Sequence, residues 1–85
     1  MSRVLVVDDE PSIRDTLFEF LVSAGHEVRT AESVREATDV LKSESWDVVV
    51  TDIVLPELTG VDLLRHVAQA APDVKVVLIT GEPSF

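Results

Sequence analysis

Cysteine is absent from the 85 residues of this chain. Neither a disulfide nor a thiolate metal site is available to staple the fold, which suits a reducing compartment. Positive charge is scarce, with seven Lys and Arg against sixteen Asp and Glu and a net charge of -9. That balance disfavours non-specific binding to phosphate backbones or anionic lipid, so direct nucleic-acid binding and membrane association are not expected of this segment. No apolar run approaches the ~20 residues needed to span a bilayer, and no basic segment leads into an apolar one at the N-terminus. The expectation is a soluble, cytoplasmic protein. Glycine is limited to three positions, none of them in the turn after the first apolar run, so the Gly-rich phosphate loop of a dinucleotide-binding module is missing. A chain this short is one domain at most and buries only roughly 60–65% of the surface its unfolded form exposes, which predicts a modest core.

What is present alternates. Val4 to Val7, Val48 to Val50 and Val74 to Ile79 are continuous, mostly β-branched apolar runs, and His26 to Thr30 is a shorter, more polar strand candidate. Continuous runs mean burial on both faces, as in a parallel sheet. Between them lie helical patterns. From Pro11 to Ala24, Ile13, Leu17, Leu21 and Ala24 recur at helical spacing, with Pro11 suited to the first turn and Gly25 to the stop. A second helix opens on Ser33 with Glu36 three residues later, a capping-box pattern, and carries Ala37, Val40 and Leu41. A third opens near Thr59 and Gly60, with Val61, Leu64, Ala68 and Ala71 expected on its buried face, and Pro72 stops it. Strict alternation predicts a doubly wound α/β fold with a parallel sheet and right-handed crossovers.

In such sheets ligands bind beyond the carboxyl ends of the strands, where the strand order reverses. With the order 2-1-3-4, that point lies between the first strand, which runs into Asp8 and Asp9, and the third, which ends at Asp52. Three carboxylates from distant stretches therefore meet in one crevice. Like charges raise one another's pKa values and are costly to hold together, a cost that a divalent cation removes. Oxygen ligands alone, with no His or Cys nearby, indicate a hard ion, and so few carboxylates suit Mg2+ better than the denser cage of Ca2+. Thr80 closes the fourth strand, where its hydroxyl is suited to donate to a phosphoryl oxygen, and Gly81 leaves access. His26 and His66 have no partner pattern and are expected on the surface, and Trp46 is expected to close the far end of the core.

The stretches VLVVDDEPSIRDTL, VVVTDIVLPELTGVDLL and VVLITG resemble the phosphoacceptor receiver domain of bacterial two-component response regulators, over all 85 residues. The resemblance implies a flavodoxin-like sheet in which Asp52 is the nucleophile. It would accept a phosphoryl group from the phosphohistidine of a histidine kinase or phosphotransfer protein and so control an output domain or partner. By the same likeness, Asp9, Asp52 and the backbone carbonyl of Val54 hold Mg2+ directly, Asp8 acts mainly through water, and Thr80 follows the phosphoryl group. Pro56 and Gly60 would shape the loop to the third helix. Such a module catalyses its own phosphorylation and turns over no separate substrate. The Thr80-Gly81 pair is similar to receivers joined to transcriptional activators.

Receivers also carry a Lys at the end of a fifth strand and two final helices, and the 85 residues contain no match to these. Lys42 falls late in the second helix pattern. Lys75 opens the fourth strand, ~15 Å from its carboxyl end. The expectation is the N-terminal part of a receiver, residues 1–85, with self-association through the edge of the fourth strand, where an uncovered row of backbone groups invites pairing. An aspartyl-phosphate hydrolase is disfavoured because its second acid, two residues after the nucleophile, is here Val54. A pseudo-receiver, a docking module that is never phosphorylated, is the alternative. An apolar Val54 beside the nucleophile also predicts slow self-hydrolysis in the full-length protein, so Val54→Asn should speed loss of the phosphoryl group. An unchanged decay rate would refute that shielding.

Overall fold

The computed structural model describes residues 2–52, 60–70 and 73–79. The elements alternate as expected: β1 (Arg3–Val7), α1 (Pro11–Ser23), β2 (Glu27–Ala31), α2 (Val34–Ser43), β3 (Val48–Asp52), α3 (Gly60–Ala70) and β4 (Lys75–Ile79). The four strands form one parallel sheet in the order β2-β1-β3-β4. Val4 pairs with Val28 on one side and Val48 on the other, and Val7 pairs with Ala31 and Thr51. β1 is thus one of the two inner strands, in keeping with its uninterrupted run of buried residues from Val4 to Val7. β2 lies at a margin and alternates between exposed and half-buried positions up to the buried Ala31.

Side chains on the two sheet faces are separated by the pleat. Leu5, Val7 and Val49 point to one face and pack with Ala31, Val34 and Ala37 and with Leu63 and Val67 of α3, while Trp46 closes the cluster. α1 lies against β1 and β2 on the other face and has no fully buried residue. It ends where Gly25 takes φ +93°, a left-handed conformation that glycine adopts without a Cβ penalty. The next residue, His26, is half-buried rather than at the surface, and its Nδ1 accepts the Ser2 backbone N–H at 3.2 Å. His66 is exposed, as expected.

α3 departs from the sequence reading in its buried face. Leu63 and Val67 are buried, whereas Leu64 is 39% exposed and Ala68 is also exposed. Two apolar stripes overlap on this helix. The pair with the bulkier side chains, four residues apart, removes more apolar surface from water and takes the core. α2 conforms: Ser33 Oγ accepts the Glu36 N–H at 3.2 Å, and Glu36 Oε2 accepts the Glu32 N–H at 3.3 Å, one residue earlier than in a strict capping box. Ser33→Ala should cost about 1 kcal/mol, read as a lower urea midpoint at unchanged m-value.

The amino end of the sheet is held by charge pairs. Arg3 bonds Glu44 at 2.7 Å and Glu27 at 3.3 Å, and its guanidinium lies 4.7 Å from the centre of the Trp46 ring. Trp46 also donates from Nε1 to the Val40 carbonyl. The opposite, carboxyl end of the sheet carries the acids.

Candidate functional site

Because Val7 pairs with Thr51, the residues that follow them, Asp8 just past the end of β1 and Asp52 at the last position of β3, come side by side at the carboxyl end of the sheet. One oxygen from each of Asp8, Asp9 and Asp52 lies within 4.8 Å of the others. The three environments differ. Asp9 is exposed, Asp52 is half-buried and Asp8 is completely buried. Adjacent residues of an extended chain point to opposite sides, so the two acids of the pair are not equivalent.

Asp8 is fixed from every side except one. Its N–H donates to the Ala31 carbonyl at 3.0 Å, which prolongs the ladder with β2 by one residue. Its Oδ1 accepts the Glu10 N–H at 2.8 Å, a local turn that hands the chain from β1 to α1. Its carbonyl accepts Arg14 Nη1 at 2.9 Å. The remaining oxygen, Oδ2, is buried and has no hydrogen-bond partner among the described residues. Burial pushes the Asp8 carboxyl above its ordinary pKa, the charges of Asp52, Asp9 and Glu10 add to that, and the Glu10 N–H opposes it.

A buried carboxylate oxygen with no partner costs on the order of 1–3 kcal/mol, more when charged. With two further acids converging on it, the donor set is all oxygen, anionic and open on the Asp9 side. These residues fit a hard divalent cation, and the unpartnered Oδ2 is the observation that says so. Val54, Pro56 and Thr80 lie outside the described residues, and for Gly60 the structure gives the start of α3. The sequence reading missed Arg14, which sits on the half-buried side of α1 and bonds into the site.

Residues 4–84 match the family model of the response regulator receiver domain, and the chain belongs to that family. It is 35% identical to the response regulator receiver protein CpdR of Brucella abortus over 81 residues, which cover 95% of this chain and 68% of CpdR. To the response regulator protein PilR of Pseudomonas aeruginosa it is 38% identical over 83 residues. Those cover 98% of this chain but 19% of PilR, so the chain spans about a fifth of that relative's length. TrrA of Thermotoga maritima, solved in complex with Mg2+-BeF, superposes with a TM-score of 0.90 at 39% identity, covering 96% of this chain and 71% of that one. TrrA has also been solved in complex with the histidine kinase ThkA, with a TM-score of 0.89 at 38% identity and coverage of 100% and 73%. The fold and order of the sheet are those of receiver domains, and the chain is a module of two-component signalling.

Proposed function

We propose that the chain accepts a phosphoryl group on Asp52, with Mg2+ held by Asp8, Asp9 and Asp52, and passes the resulting change to an output domain or partner. The observation that carries this reading is the convergence of the three acids at the switch point around the unpartnered Asp8 Oδ2, in a chain of the receiver family. In the transfer, an Asp52 carboxylate oxygen attacks phosphorus and forms the acyl phosphate. The bond from phosphorus to the donor nitrogen breaks, and the donor imidazole keeps the electron pair. Bound Mg2+ would offset the negative charge of the phosphoryl oxygens. Asp8 is rigidly placed by its three bonds and gives the site a fixed anionic floor. Asp9, being exposed, is free to adjust as a ligand. The Val54 carbonyl and the Thr80 hydroxyl belong to this proposal as a further cation ligand and a phosphoryl donor.

The donor we assign is a phosphohistidine on a kinase or phosphotransfer protein, in keeping with the complex of TrrA with ThkA. The greater length of PilR supports an output domain on a longer chain, within which residues 1–85 are the amino-terminal part of the receiver. Among the described residues no helix is long and apolar enough to cross a membrane, in keeping with a cytoplasmic role. Self-association along β4 is supported by Val77 and Leu78, which are 46% and 38% exposed on that strand. Incubation with a small acyl phosphate donor and Mg2+ tests the reading. Stoichiometric label on Asp52, stable to acid and labile to base, supports it. Continuous turnover indicates a hydrolase, and absence of label indicates the pseudo-receiver.

A further inference from the structure

The turn from β1 to α1 carries two of the three acids, yet the helix that follows lacks a side-chain cap. Glu10 takes the N-cap position with an extended backbone and makes no capping bond through its side chain. What ties the turn instead is Arg14, one helical turn further on. Its backbone N–H donates to the Glu10 carbonyl at 3.0 Å, and its Nη1 reaches back to the Asp8 carbonyl at 2.9 Å. The choice of acceptor is informative. Arg14 lines a polar depression together with Thr30, Glu32 and Glu36, so two acidic residues border the same depression. Among the described residues it forms an ion pair with neither, and it bonds a peptide carbonyl beyond the end of β1.

We infer that Arg14 is a positioning residue of the cation site, holding the Asp8 peptide so that the Asp8 carboxylate stays beside Asp9 and Asp52. This inference rests on the phosphoacceptor reading and concerns how its metal site is built. Two effects of Arg14 on a divalent cation have opposite sign. As a nearby positive charge, it repels the ion, so removing the charge alone should tighten binding. As a clamp, it spares the ion from ordering the Asp8 turn, so removing the bond should weaken binding. Loss of an outer partner that orients a ligand typically costs 10–100-fold in metal affinity. The clamp therefore outweighs the charge, and Lys, which can donate to the same carbonyl, should replace Arg better than an apolar residue of similar length.

The test is calorimetric titration of Mg2+ alone into the full chain and its Arg14→Met and Arg14→Lys variants, each first shown by circular dichroism to be folded. Arg14→Met should weaken Mg2+ binding by about tenfold, and Arg14→Lys should recover most of that loss. A residue that merely supports the fold would lower the melting temperature and leave the affinity of the folded protein unchanged. Arg14→Met binding Mg2+ as tightly as wild type, or more tightly, overturns the inference. Should that variant not fold, Arg14→Gln, too short to reach the Asp8 carbonyl, is judged by the same rule. Labelling of the wild type with acetyl phosphate is measured alongside. A wild type that binds Mg2+ but takes no label sinks the phosphoacceptor reading, while the order of the three affinities still decides the role of Arg14.

Discussion

Asp52→Asn should take up no phosphoryl group from either a small acyl phosphate donor or a phosphohistidine partner. The carboxylate supplies the attacking oxygen, and an amide cannot form the acyl phosphate. The same change removes one of three charges that hold the cation, so Mg2+ affinity should fall as well. The loss of labelling should be complete, because Asp8 is buried and bonded to the Glu10 N–H, and cannot stand in as a nucleophile. Asp9→Ala should slow labelling without abolishing it. Intact-mass measurement after incubation with donor and Mg2+ checks both. A full-stoichiometry adduct on Asp52→Asn would move the phosphoacceptor to another residue.

In the absence of divalent cations, Asp8→Asn should make the protein more stable at neutral pH, by about 1–2 kcal/mol. Asparagine keeps the oxygen that accepts the Glu10 N–H, while its amide can donate toward Asp9 or Asp52, where the carboxylate only repels them. The sign with pH follows from the raised pKa of Asp8, whose first cause is burial and whose second is the neighbouring acids. Between the ordinary aspartate value of about 3.9 and its raised value, Asp8 binds more proton in the folded state than in the unfolded state. Wild-type stability therefore falls as pH rises through that window, and the advantage of Asp8→Asn opens over the same range. Below the window both proteins are neutral at this position and the advantage closes. Asp9→Ala and Asp52→Asn should stabilise the metal-free fold in the same direction but less, since neither residue is fully buried. Thermal melts in EDTA at several pH values measure this. In a domain this small each kcal/mol moves Tm by about 4–8 °C. A variant no more stable than wild type, or an advantage that persists in acid, would refute the account. Added Mg2+ should then reverse the ranking by stabilising wild type most.

Much of this arrangement was legible in the residues because the relevant signals are coarse and repeated. Continuous Val runs gave the parallel sheet, and the order of its strands brought Asp8 and Asp52 together from 44 positions apart, a pairing that the ladder of Val7 with Thr51 bears out. The buried face of α3 was not legible. Leu63 and Val67 compete with Leu64 and Ala68 for the core, and only the packing partners on β3 and α2 decide between stripes of similar spacing. Arg14 was illegible for a different reason. A long side chain bonding a peptide carbonyl six residues earlier leaves no trace in residue type, because every residue offers the same carbonyl. The difference between Asp8 and Asp9 stood in between. Pleating alone makes them unequal, but which one is buried depends on the ladder that carries Asp8 one bond past the end of β1.

The stitching of the amino end of the sheet by Arg3 bears on how a signal could travel. Glu27, Glu44 and Trp46 converge on that arginine, and the local interactions there agree with one another. At the carboxyl end they conflict, since neighbouring acids repel and one buried oxygen has no partner among the described residues. The molecule is thus locally frustrated at one pole and consistent at the other. On the proposed reading, charge brought to the frustrated pole by a cation or phosphoryl group would alter interactions that are already opposed, so rearrangement there should be cheap. The consistent pole has no such slack. On the proposed phosphoacceptor reading, it is the end of the sheet expected to keep its register while the charge at the other end changes.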